Sequence, residues 1–185
     1  MERRTFIRNG FTLGLGAASF GTALAHNVLT DFSANSTPFF KLSLAQWSLH
    51  NAIWKRQLDP YDFTAKAKEL GFEGVEFVNQ LYPDVMKAKD KTAALKQFIS
   101  KLNTAAKTEG VENVLILIDG EGDLAVPSIS ERNQAIENHK AWVETAAAMG
   151  CHSIRINLFG ERDEIAWKAQ AAESMRKLGE FAAPY

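Results

Sequence analysis

Cysteine is nearly absent from this chain: its single copy, Cys151, cannot form an intramolecular disulfide, so no covalent staple holds the fold. Its place, directly after Gly150 where a strand is expected to begin, reads as a buried structural residue rather than a nucleophile at a strand's far end. An excess of charge of one sign is missing too. Lys and Arg number 21 against 22 Asp and Glu, a formal net charge of −1 with no long basic run, which excludes a nonspecific nucleic-acid binder. The N-terminal 25 residues are too short and too weakly apolar for a comfortable membrane span. A glycine-rich phosphate cradle and a Ser-His-Asp order are also absent, which leaves nucleotide binding and acyl transfer without support.

What is present is the composition of a globular protein, 185 residues of which 46% are hydrophobic, enough for one sizeable core. The chain also repeats itself. "AKELGFEGVEFV", "AKTEGVENVLIL" and "AAAMGCHSIRINL" each run from a helical tail through a glycine and two further residues into an apolar strand. Gly71, Gly110 and Gly150 thus recur about every 40 residues, a period visible within one sequence. Each glycine is expected to supply the left-handed turn that ends a helix. The closing "GEFAAPY" reads as a fourth such helix end, cut before its glycine.

The first 25 residues read as an address. Arg3, Arg4 and Arg8 precede a mildly apolar run rich in Gly and Ala, and Ala23-Leu24-Ala25 forms an A-x-A cleavage site. The pair Arg3-Arg4 with Phe6 and Ile7 resembles a twin-arginine export signal, with Glu2 where Ser or Thr is usual. Export to the periplasm, or otherwise out of the cytoplasm, is the expectation, with no stable membrane span once the signal is cleaved. Residues 26–38 read as a flexible polar tether, and the fold is expected over 39–185.

Strands are expected near 41–49, 74–79, 113–119 and 152–158, alternating with four helices, the pattern of a parallel sheet with helical crossovers. Asp59 and Pro60 open the first helix, whose apolar stripe is Phe63, Ala67 and Leu70. The second buries Leu95, Phe98, Ile99 and Leu102. The third begins with the capping-box spacing Ser128 to Glu131 and carries Ala135, Trp142, Ala146 and Met149 on one face. The fourth offers Ile165, Ala172, Met175 and Ala182. Strand alternation sends Ile154, Ile156 and Leu158 to one face and Ser153, Arg155 and Asn157 to the other, as it separates Val75 and Phe77 from Glu76. Polar residues on an inner face suit a closed barrel with a reaction chamber at one end. Glu76 and Arg155 then either form a buried ion pair or reach a ligand; both readings stay open.

Taken together, "LSLAQWSLH", "GVEFVNQ", "LILIDGEGDL", "ENHKAW" and "GCHSIRIN" resemble the xylose isomerase-like barrel family, often grouped as sugar phosphate isomerases and epimerases. The resemblance implies an α/β fold, a (β/α)8 TIM barrel of which this chain holds the first four βα units. It also implies a divalent metal, Mn, Mg, Co or Zn, which polarises a sugar oxygen while carboxylates move a proton on the adjacent carbon. In that family the metal ligands lie on the second half of the barrel, so the expectation is an inactive N-terminal fragment with no metal of its own. Open strand edges would then lead it to aggregate, to form a homo-oligomer or to belong to a longer protein.

Residues expected to open to the chamber, and so to touch a small-molecule carbohydrate, are Trp47, His50, Glu76, Asn79, Asp119, Glu121, Arg155 and Asn157. Trp47 is placed either in the core or stacked on a sugar ring, and His50 either in a surface loop or on a substrate hydroxyl. The acids at 119, 121 and 123 do not make a calcium loop, because Leu124 and Ser130 stand where glycine and glutamate are needed. Glycines 120 and 122 instead turn the backbone over the barrel mouth. His139 and His152 read as structural. Elimination on an oxidised sugar would use the same groups, and a noncatalytic carbohydrate-binding barrel is the rival from another class.

Overall fold

The computed structural model describes residues 40–185. The export signal and the tether expected over 1–25 and 26–38 lie outside them. Four strands, β1 (Ser43–Ala45), β2 (Gly74–Val78), β3 (Glu112–Ile118) and β4 (Ser153–Ile156), form one parallel sheet in the order β1-β2-β3-β4. Gly71, Gly110 and Gly150 all take left-handed backbone, with φ of 87°, 63° and 75°, so the sequence repeat is a structural one.

The crossovers are α2 (Phe63–Glu69), α4 (Lys91–Glu109), α5 (Ile129–Ala148) and α6 (Glu164–Ala182). Two shorter helices, α1 (His50–Trp54) and α3 (Pro83–Met86), follow β1 and β2. Caps mark the starts as expected. Asp59 accepts from the Tyr61 amide at 2.9 Å and Ser128 from the Glu131 amide at 3.3 Å. Asp90 and Asp163 do the same for α4 and α6. Among the described residues no helix is long and apolar enough to cross a membrane.

The core lies between the sheet and the helices. Val75, Phe77, Ile116 and Ile118 leave the strands to meet Phe63, Phe98, Leu102 and Trp142, all buried. Phe98 stands edge-on to both Tyr82 and Trp142. A satellite cluster of Leu124, Ala135 and Ile136 takes Leu158 and Ile156 beneath the loop after β3. All four residues expected on the inner face of α5, Ala135, Trp142, Ala146 and Met149, are buried.

Three expectations need correction. The first strand is short, because Gln46 leaves the ladder. Its buried side chain accepts from the Val78 amide at 3.0 Å and donates to the Tyr82 hydroxyl at 2.9 Å, a side-chain substitute for ladder bonds. Leu70 falls outside the α2 stripe and is exposed. On α6 the buried residues are Ala171, Ser174 and Leu178, while Ile165, Ala172 and Met175 face outward, Ile165 at 81% exposure.

One irregularity sets the phase of the sheet. Val75 is level with Asn113 but Glu76 with Leu115, so Val114 is an extra residue, a β-bulge in β3. Asn113 faces the helices, where its amide donates to Asn103 and to the Met149 carbonyl, both at 3.0 Å. After the bulge, Leu115 and Leu117 face the inner side and Ile116 and Ile118 the core.

Candidate functional site

The carboxyl ends of β3 and β4 converge on one carboxylate. Asp119, just beyond β3, accepts from Gln80 Nε2 through Oδ2 at 2.9 Å, accepts from Asn157 Nδ2 through Oδ1, and has Arg155 Nη1 at 3.7 Å from that same oxygen. Arg155 also donates to Asn157 at 3.0 Å. Asn79 fixes the backbone beneath: it donates to the Asp119 carbonyl and accepts from the Asp119 amide, each at 2.9 Å. Asn79 is fully buried, so it clamps the ends of β2 and β3 together rather than reaching a ligand.

A cleft of about 700 Å³ opens above this network, bordered by Trp47, Asp119, Glu121, Arg155, Asn157 and Phe159. Trp47 sits on a 3-10 turn (Gln46–Leu49) instead of a strand end. Its ring is stacked on His50, centroids 4.4 Å apart, and Trp54 meets both edge-on. His50 does not border the cleft; it backs the Trp47 ring.

Glu76 and Arg155 do not pair. The register puts Ala45, Glu76, Leu115 and Ser153 in one row and Val78, Leu117 and Arg155 in the next. The two side chains are therefore one row and two strands apart, the strand spacing alone being about 9–10 Å. Glu76 accepts from Ser43 Oγ at 2.5 Å instead, below the cleft.

Glu121 borders the cleft, but its Oε1 is taken by Trp142 Nε1 at 2.6 Å and Lys91 Nζ at 2.5 Å. With Asn138 donating to its backbone carbonyl at 3.1 Å, Glu121 anchors the loop after β3 to α5. His139 is also buried here and borders the cleft. Burial lowers its pKa from the ordinary value, opposed by its bond to the Ala135 carbonyl and by Glu121. Below about pH 6.5 the unfolded chain therefore binds a proton that the folded one resists. Stability should fall as pH drops through that region and level off above it. Urea midpoints measured against pH for the native chain and His139→Gln check this: the two curves should run parallel above about pH 7 and change their separation only on the acid side.

Two loops close the rim. Ala125 and Gly160 form a parallel bridge, with the Ala125 amide donating to the Phe159 carbonyl at 3.0 Å and the Glu161 amide to the Ala125 carbonyl at 2.8 Å. A Cβ at Gly160 would lie 1.9 Å from the Ala125 oxygen, a clash with backbone that no rotamer relieves. Gly160→Ala should break this tie, with a loss of about 1–3 kcal/mol. Hydrogen exchange should quicken at the Ala125 and Glu161 amides while the amides of α4 stay protected.

Cys151 is half-buried just before β4, and burial pushes its thiol up to about 12, so it is thiol at neutral pH and inert as a nucleophile. Sequence reasoning missed Gln80, which orients Asp119, and Gln46. Alternation from Leu44 places Gln46 toward the helices, and a lone amide there is the signal that was available. Among the described residues no group of three His, Cys, Asp or Glu could hold a metal ion. Asp119, already engaged by Gln80 and Asn157, and Glu121, engaged by Lys91 and Trp142, do not make a divalent-cation donor set.

Parallel βα units whose polar side chains gather at the carboxyl ends of the strands define part of a TIM barrel with its site at that end. The chain belongs to the xylose isomerase-like TIM barrel family, whose family model matches residues 64–185. No curated protein matches it in sequence. Its fold is similar to D-psicose 3-epimerase from Clostridium cellulolyticum H10, at 17% identity and a TM-score of 0.59 over 78% of this chain and 49% of that one. It is also similar to the 3-keto-D-glucoside 4-epimerase YcjR from E. coli, at 18% and 0.52 over 68% and 48%. The probable 3-DHS dehydratase AsbF from Bacillus anthracis is a third, at 20% and 0.53 over 78% and 49%. At these identities the likeness is one of fold. The chain spans about half the length of the structures it matches.

Proposed function

We propose that this chain forms the substrate-recognition wall of an exported, divalent-metal-dependent sugar isomerase or epimerase, and that the described residues bind carbohydrate without turning it over. The observation that carries the reading is the Asp119, Asn157, Arg155 and Gln80 network at the strand ends. A carboxylate, two amides and a guanidinium offer fixed acceptors and donors to adjacent hydroxyl groups, beside the Trp47 ring. Two epimerases among the similar folds support a carbohydrate as the ligand. The metal, Mn, Mg, Co or Zn, would supply the electrophile that holds charge on a sugar oxygen when bound. Its ligands, and the acid and base on opposite faces of the reacting carbon, would come from further strands of a closed barrel, because the donor set here does not fit it.

The dehydratase among the similar folds supports a second reading, elimination on an oxidised sugar by the same site. Product analysis separates the two. In a third, the barrel binds sugar and catalyses nothing. Export through a twin-arginine-type signal rests on Arg3 and Arg4, and association of two copies through the outer edges of β1 and β4 rests on those strands each pairing on one side only among the described residues. The test is calorimetric titration of the full chain with monosaccharides, followed by chromatography of the incubated sugars with added Mn or Mg. Saturable binding with unchanged sugars is expected. Isomerised product from the 185 residues would overturn the assignment of catalysis to other strands, and no binding at all would overturn the carbohydrate reading.

A further inference from the structure

A second depression, of about 660 Å³, lies beside the first, between the segment after β1 and the segment after β2. The two share Gln80, Asp119 and Gly120. The hydrogen bond from Gln80 to Asp119, 2.9 Å long, therefore stands as a low partition within one cleft. The chemistry changes across it. On one side are Arg155, Asn157 and the Asp119 carboxylate; on the other, Trp54, Leu58, Pro60, Pro83 and Met86 form an apolar floor with Asp59 and Lys87 at its border.

The apolar side is built rather than incidental. Trp54 leaves 56% of its surface in solvent, its indole meeting Trp47 and His50 edge-on. Large exposed aromatic surface rimmed by polar groups marks a binding face. The wall is stiff: Pro60 and Pro83 each open a helical turn, and Gln46 and the Pro60 carbonyl pin the buried Tyr82 next to Pro83. Arg56, also in this wall, takes left-handed backbone at φ 57°, a conformation that costs a non-glycine residue energy and is concentrated at ligand clamps.

We propose that the ligand of this cleft is a glycoside rather than a free monosaccharide, with its sugar ring over Asp119, Arg155 and Asn157 and an apolar aglycone across the partition against Trp54 and Met86. A sugar alone leaves the Trp54 and Met86 surface uncovered, and an apolar molecule alone leaves the Asp119, Arg155 and Asn157 groups unmatched; a glycoside uses both. The inference rests on the carbohydrate reading of the first lobe and adds the class of substrate.

The experiment is calorimetric titration of the full chain with D-glucose, phenyl β-D-glucopyranoside and phenol. Burial of the phenyl ring should make the phenyl glycoside bind at least about tenfold more tightly than D-glucose. Trp54→Ala and Met86→Ala, tested separately, should each bring that ratio toward one, and the Met86 variant does so without touching the stack around Trp47. Equal affinity for D-glucose and the phenyl glycoside would overturn the proposal and leave the carbohydrate reading standing. So would a ratio that survives both substitutions, or phenol binding as tightly as the glycoside. Failure of both sugars to bind would overturn the two together.

Discussion

Trp142→Ala should lower the unfolding free energy by about 3–5 kcal/mol, the range for removing a large buried aromatic. Trp142 is fully buried on α5, edge-on to Phe98, and its Nε1 donates to Glu121. Two losses combine: the cavity left by the indole, and a Glu121 carboxylate that keeps only Lys91. A domain's whole stability is about 5–15 kcal/mol, so this one change threatens the fold. Urea unfolding followed by circular dichroism measures it. Trp142→Phe keeps most of the packing and should cost about 1–2 kcal/mol for the hydrogen bond. A double-mutant cycle with Glu121→Gln then isolates the pair: a coupling near zero would show that Glu121 is satisfied by Lys91 alone.

Asp119→Ala should weaken sugar binding by about a hundredfold while costing little stability, because sites built on hydrogen bonds discriminate strongly once a partner is lost. The carboxylate receives Gln80 and Asn157 and lies beside Arg155; without it Gln80 loses this partner and the Arg155–Asn157 pair loses its anchor. Its backbone remains clamped by Asn79, so β3 keeps its position. Asp119→Asn, which preserves shape and one acceptor, should fall between the native chain and the alanine variant. Titration calorimetry and thermal melts on the same samples separate affinity from stability. A drop in melting temperature as large as that of Trp142→Ala would recast Asp119 as a structural residue.

Much of the scaffold was legible in the sequence for physical reasons. The helix-ending glycines announce themselves because few other residues accept left-handed backbone cheaply. The α5 stripe was legible because its large residues fall at helical spacing and its partner, the sheet, is present. The α6 stripe was misread because its apolar residues fall on more than one face. Ile165, Ala172 and Met175 are as apolar on paper as Ala171, Ser174 and Leu178, and periodicity cannot say which of two stripes faces the sheet. Nor could one strand's alternation reveal that Glu76 and Arg155 occupy different rows, since that is a property of pairing across β3. Of the eight candidates, Trp47, Asp119, Glu121, Arg155 and Asn157 border the cleft. The bonds that set Asn79, Gln80 and Asp119 against one another join segments about 40 residues apart, one repeat, which no local pattern records.

The extra residue in β3 has a consequence for how this wall tolerates change. Asn113 is fastened to Asn103 and the Met149 carbonyl below Val114, while Ile116 and Ile118 are seated in the core above it. With Val114 deleted, both halves of the strand could not keep their faces, because side-chain direction alternates residue by residue. Either Asn113 would abandon the helix ends, or the isoleucines would rotate toward the cleft and carry Asp119 with them. Val114 thus works as a half-step in a gear train: a point of length, not of chemistry, that keeps the polar groups at the cleft in phase with the core behind the sheet. Substitutions there should be absorbed, whereas insertions and deletions should not.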